Sequence, residues 1–141
     1  MFKQIVFVLV FFLFLGGTQG CVVSNSGAKK VNLDKIVGNW SETWGAGQET
    51  NVNYSDVYVM SKSGDKLQMS CPKRNNYRFE EINFDGRKLA FKLIIKDLKY
   101  GSEDAWVRYD LDLQDNTSTF RGTALTKAGK EAKIIWTKLA L

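Results

Sequence analysis

The sequence offers few of the side chains that catalysis at neutral pH ordinarily uses. It contains no histidine, which excludes Ser-His and Cys-His nucleophile pairs and the usual zinc sites. Cys71 therefore lacks the partner that would make it a nucleophile or a metal ligand. We predict no catalytic residue, no metal site and no cofactor, and we expect a protein that is not an enzyme.

The acidic residues supply neither a catalytic carboxylate pair nor a calcium loop. Glu80 and Glu81 are adjacent, so in a strand their side chains point to opposite faces. One of them is expected to mark a β-bulge, because the hydrophobic alternation before them is out of phase with that after them. Asp110 and Asp112 lack the glycine and glutamate spacing of an EF-hand loop and are interpreted as the solvent face of a strand.

The first residues have the pattern of an export signal. Lys3 precedes an apolar run from Ile5 to Leu15, and small residues then lead to Gly20 and Cys21. A positive start, about 7 to 15 apolar residues and small residues before a cut are typical of secretory signals, whereas a membrane-spanning helix needs about 20 apolar residues. We predict that residues 1–20 are a cleaved signal peptide.

The junction at Cys21 resembles the lipobox of bacterial lipoproteins. Gly20 matches the small residue before the cysteine, and Thr18 stands where the family usually has leucine. The resemblance implies that Cys21 is acylated and becomes the first residue of the mature protein. Val22 in place of an aspartate resembles lipoproteins sent to the outer membrane, so we expect a lipid anchor in the bacterial cell envelope, at the outer membrane.

Lipidation of Cys21 would leave Cys71 unpaired. Cys71 shares a predicted strand face with Leu67 and Met69, which favours a small buried hydrophobe. The alternative is a disulfide between the two cysteines, as in an ordinary secreted domain.

The mature chain has the length of one small domain. Residues 21–34 are predicted to be a lipidated flexible tether, since small polar residues there bury little apolar surface. The formal net charge of +5 becomes +4 once Lys3 is removed, and the charges are spread along the chain, which argues against nucleic-acid binding. The remaining partners are the membrane, a small apolar ligand or an envelope protein, and we expect a monomer.

Residues 35–141 are predicted to form an all-β domain with almost no helix. A single helical turn is possible at Asn32 to Val37, and the rest alternates between apolar and polar residues with short turns such as Asp85-Gly86. Eight strands follow, roughly Ile36 to Trp44, Val52 to Ser61, Lys66 to Cys71, Tyr77 to Phe84, Lys88 to Lys96, Ala105 to Leu113, Thr117 to Leu125 and Ala132 to Leu139. Short connections between neighbours favour an eight-stranded antiparallel up-and-down barrel over two separate sheets.

The start of the first strand, Gly38-Asn39-Trp40, resembles the Gly-x-Trp signature of the lipocalins and their calycin relatives. The resemblance implies that Trp40 closes the base of the barrel beneath a basic residue of the last strand, here Lys138. Lipocalins usually have arginine at that position, and lysine can still place a cation over the indole.

An eight-stranded barrel is filled by side chains or holds one small ligand. Both outcomes stay open from the sequence, because large inward-facing rings suit either. The residues predicted to bind a small apolar ligand are Trp44, Tyr58, Phe91, Tyr109, Phe120 and Trp136.

Glu42 shares a face with Trp40 and Trp44 in strict alternation. A buried carboxylate is costly unless it is paired, so a local bulge or twist that turns Glu42 into water is the simpler interpretation. The alternative is an internal polar group that holds the head of a ligand.

Two functions remain. The first is a membrane-anchored envelope lipoprotein that binds a small apolar or amphipathic ligand in a lipocalin-like barrel. The second is an envelope interaction or inhibitor module with a filled core, which resembles the small lipid-anchored barrels that inhibit lysozyme. Its partner would then dock on the loops at Gly45 to Asn51 and Pro72 to Asn76, the latter through Lys73 and Arg74.

Overall fold

The computed structural model describes residues 30–45, 52–96 and 104–140. They form one short 3-10 helix, Leu33–Lys35, and eight β-strands. The strands are β1 (Gly38–Trp44), β2 (Val52–Ser63), β3 (Lys66–Ser70), β4 (Tyr77–Phe84), β5 (Lys88–Ile95), β6 (Ala105–Leu113), β7 (Thr119–Thr126) and β8 (Glu131–Lys138). Every predicted strand is present, with ends that move by no more than two residues.

Several predictions fall outside the described residues. They concern the signal peptide, Cys21, most of the tether and the loop positions 46–51 and 97–103. Within the part of the chain that is described, no helix has the length and hydropathy needed to span a bilayer.

The eight strands form one antiparallel sheet in the order β3-β2-β1-β8-β7-β6-β5-β4. Each strand pairs with its neighbour in sequence, except that β3 and β4 are not hydrogen-bonded, while β1 pairs with β8. The sheet therefore curls into a nearly closed barrel with a seam between β3 and β4. The predicted up-and-down barrel is confirmed, and the fold is compatible with that of the lipocalins.

Strict alternation along the strands places one set of side chains inside the barrel. In β6, Val107, Tyr109, Leu111 and Leu113 are buried, and the residues between them face outward. The two acidic residues at Asp110 and Asp112 lie on that outward face, as predicted. Because successive side chains in a strand point to opposite faces, the inward set is mostly apolar and the outward set mostly polar.

A bulge interrupts β4 where the sequence pattern changes phase. The register of β4 against β5 shifts between Glu80 and Asn83, and Glu81 has a φ of 53°. The extra residue returns Ile82 and Phe84 to the inner side. The predicted bulge at the two glutamates is confirmed.

The closed end of the barrel is the end where β1 begins and β8 finishes. Trp40 is fully buried there, and its indole N–H donates to the carbonyl oxygen of Ile36 at 2.9 Å. The ring packs on Phe120 with centroids 5.0 Å apart. Lys138 Nζ lies 5.9 Å from the Trp40 ring centroid and donates to the Lys35 carbonyl at 2.8 Å.

Gly38 explains why this end tolerates so close a lysine. Its φ is 137°, and a Cβ on it would lie 3.0 Å from Cε of Lys138. A larger residue would strain the backbone and press on the lysine side chain. The Gly-x-Trp residues and Lys138 thus form one packed unit, as the resemblance implied.

Candidate functional site

The open end of the barrel, opposite Trp40, contains a small cavity. It has a volume of about 140 Å³. Four aromatic residues, three aliphatic residues and one acid line it: Trp44, Tyr58, Tyr77, Tyr109, Leu93, Ile95, Val107 and Glu42. We call this space the mouth cavity. It is well below the roughly 300 to 1,000 Å³ of sites for drug-sized molecules.

Glu42 lies inside the barrel with 4% of its surface exposed. The interpretation that a bulge turns this side chain into water is wrong. A register shift does occur beside it, but β1 advances from Ser41 to Glu42 while β2 steps from Val57 to Tyr54. Because β2 accommodates the extra residues, the alternation of β1 continues and Glu42 stays on the inner face with Trp40.

Neutral donors surround the Glu42 carboxylate. Tyr58 Oη donates to one oxygen at 3.1 Å, and Trp136 Nε1 donates to the other at 3.1 Å. The Tyr109 side chain forms a further hydrogen bond with it. An indole nitrogen can only donate, so at least one carboxylate oxygen acts as an acceptor.

Burial raises the pKa of Glu42 above its ordinary value of 4.5, while the hydrogen bonds from Trp136, Tyr109 and Tyr58 act in the opposite direction. The negative charge of Asp56 raises it further. Among the described residues, the ion pairs of lysine and arginine all involve other acids. Glu42 is therefore satisfied in hydrogen bonds but has no compensating positive charge there.

The predicted ligand-binding residues divide into three groups. Trp44, Tyr58 and Tyr109 line the mouth cavity. Phe91 and Trp136 are buried outside its lining: Phe91 stacks on Tyr109 and Trp136 stacks on Tyr58, each pair with centroids 4.5 Å apart.

Phe120 lies at the other end of the barrel. It is fully buried against Trp40 and also meets Phe84, with ring centroids 6.3 Å apart. It does not line the mouth cavity. Conversely, Tyr77 lines the cavity without having been predicted to do so, although its position at the start of a strand was visible in the sequence.

A second acid near the open end, Asp56 of β2, is paired with a residue of the β3–β4 connection. Asp56 is buried, and the guanidinium Nε of Arg74 lies 2.8 Å from its carboxylate. The same guanidinium lies 5.9 Å from the Tyr77 ring centroid. Arg74, proposed from the sequence as a docking residue, thus has an intramolecular partner, whereas Lys73 is exposed.

Cys71 is buried and free. Burial raises the pKa of its thiol, which keeps it protonated and poorly nucleophilic at neutral pH. This confirms the interpretation of Cys71 as a small buried hydrophobe.

No cluster of side chains suited to a metal ion occurs in the described ranges. What this end of the barrel offers is an aromatic-walled space over a buried carboxylate, on the scaffold of an eight-stranded antiparallel barrel. Comparison with protein family models, curated proteins and solved structures finds no match to the chain.

Proposed function

We propose that this protein is a membrane-anchored lipoprotein of the bacterial envelope, at the outer membrane, whose barrel binds a small amphipathic molecule through its open end. The observation that supports binding is the position of Glu42 on the wall of the mouth cavity. Burying a carboxylate among aromatic rings costs stability. A filled structural core has no need of it, because an apolar side chain of similar size would serve there.

The size of the mouth cavity limits what enters it. An apolar protein cavity of about 150 Å³ accepts benzene, and the mouth cavity is about 140 Å³. The part of the ligand inside therefore has on the order of six non-hydrogen atoms. Tyr58, Tyr109 and Glu42 supply polar groups that orient it, and the aliphatic wall at Leu93 and Val107 contacts its apolar part.

Filling the cavity tests the proposal for binding. Val107→Phe adds volume to the cavity wall, so we expect it to abolish displaceable binding of an apolar fluorescent probe. Because the new ring enters existing space, the loss of stability should be smaller than the roughly 1 to 3 kcal/mol of an overpacked core. Leu125→Phe is the matched control, because Leu125 is 40% exposed on the outside of β7. Equal probe binding by both variants would place the probe elsewhere.

The alternative function is an envelope interaction or inhibitor module that acts through its loops. The stacked rings beneath the cavity support it, because they fill much of the interior. A wild-type barrel that takes up neither the probe nor any molecule retained from its own membrane in native mass spectrometry would favour this function.

The anchor is tested separately. Cys21→Ser should release the processed protein from the membrane fraction, because the serine cannot carry the lipobox modification. Cys71→Ser should leave the protein in the membrane pellet, since Cys71 is buried inside the folded domain. A Cys21→Ser protein that is fully processed yet stays in the pellet would show that the anchor is not this cysteine.

A further inference from the structure

The charge of Glu42 indicates what kind of ligand head fits the mouth cavity. Its described partners are the hydroxyls of Tyr58 and Tyr109 and the indole N–H of Trp136, all of them neutral. Hydrogen bonds from neutral donors reduce the cost of burying a carboxylate but do not cancel its charge. A positively charged ligand group would supply what the described part of the protein does not.

The ion pair of Asp56 and Arg74 near the open end does not supply the positive charge that Glu42 lacks. Asp56 and Arg74 are joined at 2.8 Å and compensate each other. The negative charge of Asp56 raises the pKa of Glu42, so Asp56 makes a second negative charge at Glu42 less favourable. The local balance of these three groups is therefore negative by one charge when Glu42 is ionised.

The cavity walls also favour a cation. Trp44, Tyr58, Tyr77 and Tyr109 all line the space that contains Glu42. Aromatic faces carry negative electrostatic potential, and rings grouped around a small space bind alkylated ammonium groups. A carboxylate beside such rings adds a full negative charge to the same site.

We propose that the ligand is a small organic cation whose alkylammonium head lies against Glu42 between the four rings of the mouth cavity. This rests on the proposed ligand-binding function. An ammonium group with methyl substituents combines positive charge with an apolar surface, which matches both the carboxylate and the rings around it. A bare calcium or magnesium ion is less suited, because such ions need about six oxygen ligands.

A pair of probes of nearly equal shape tests the charge directly. Choline and 3,3-dimethylbutan-1-ol have the same branching, but choline carries a quaternary nitrogen where the alcohol has a carbon. Titration of the folded, processed protein, followed by calorimetry and by NMR shifts of the tryptophan indole N–H signals, should give a dissociation constant for choline at least tenfold lower. That ratio reflects the carboxylate and the cation–π contacts together.

Two glutamate variants localise the effect. In Glu42→Gln the ratio of the two dissociation constants should fall severalfold, since the amide keeps the shape without the charge and only the cation–π contacts of the rings remain. Glu131→Gln removes an acid from the exposed start of β8 and should keep the wild-type ratio. Near-ultraviolet circular dichroism checks that each variant retains the packed rings.

The outcomes separate this inference from the function on which it rests. Equal or tighter binding of the neutral alcohol overturns the cationic ligand and leaves a small-molecule site in place. Failure of both probes, together with failure of the apolar fluorescent probe, overturns both. A preference for choline that is as large in Glu42→Gln as in the wild type also overturns the inference, because the cation then binds away from Glu42.

Discussion

The two ends of the barrel treat a charged side chain in opposite ways. At the closed end, the Lys138 ammonium lies over Trp40 and donates to a backbone carbonyl, and the lysine is partly exposed. At the open end, the Glu42 carboxylate accepts from Trp136 and is 4% exposed. The first charge retains access to water and so costs little, whereas the second has been removed from water.

This difference separates the residues that close the fold from those of the proposed ligand site. The closed end joins the first and last strands through Gly38, Trp40 and Lys138. The open end contains a buried acid on the wall of the mouth cavity, which closure of the barrel does not require. Substitutions at the closed end should therefore change stability, and those at the open end should change binding and pH dependence.

The largest expected effect is at Trp40. Trp40→Ala should lower the free energy of unfolding by about 3 to 5 kcal/mol, as for other large core aromatics. Trp106 provides the matched control, since it lies on the outer face of β6 with Lys92 Nζ 5.6 Å from its ring. Trp106→Ala should cost about 1 kcal/mol or less. Urea unfolding measures both, and equal losses would contradict the assignment of Trp40 to the base of the core.

Lys138 should show a smaller effect. Lys138→Met keeps an apolar stem but removes the ammonium that contacts Trp40 and the Lys35 carbonyl. We expect a loss of about 1 kcal/mol, from one charged hydrogen bond and one cation–π contact. Lys138→Arg should retain most of the stability. Greater destabilisation by arginine than by methionine would show that packing, and not charge, governs this position.

The smallest effect concerns one proton at Glu42. The pKa of Glu42 is raised in the folded protein. Above pH 4.5, the ordinary pKa, the folded state therefore keeps a proton that the unfolded chain has lost. Stability should therefore fall as pH rises from 4.5 through the higher folded pKa. Tyr58 and Tyr109 face the carboxyl, and burial raises their pKa values further above the ordinary 10.0, so both stay neutral in this window.

Glu42→Gln should remove this contribution. The stability of the variant relative to the wild type should increase as pH rises from about 4 to about 8. Urea unfolding midpoints at several pH values measure it. Asp56 also lies near Glu42, and since it is present in both proteins, only its interaction with the Glu42 carboxyl differs between them. A difference between the two proteins that does not change with pH would contradict burial of a titrating carboxyl.

The sequence predicts the closed end better than the open one. Period-two alternation and short turns are local signals, so the eight strands and the inward faces could be assigned residue by residue. The contact of Lys138 with Trp40 followed from a resemblance that names both positions. The environment of Glu42 was not local, because it depends on where β2 places its extra residues against β1.

Phe120 and Tyr77 show what alternation within a strand does not predict. Alternation shows which side chains point inward but does not show their height along the barrel axis. Phe120 and Trp44 were therefore grouped together, although Phe120 packs at the closed end and Trp44 lines the mouth cavity. Height depends on the stagger between strands, which is set by cross-strand register and not by the pattern within one strand.

The seam between β3 and β4 has a consequence for how the molecule exchanges its amide protons. β3 is hydrogen-bonded to β2 alone, and β4 to β5 alone. A strand with one hydrogen-bonded neighbour opens at lower free energy than one held on both sides. Amide exchange should consequently be fastest along β3 and β4 and slowest in β8 and β7. The barrel therefore opens first at the seam, while β8, which contains Trp136, remains protected.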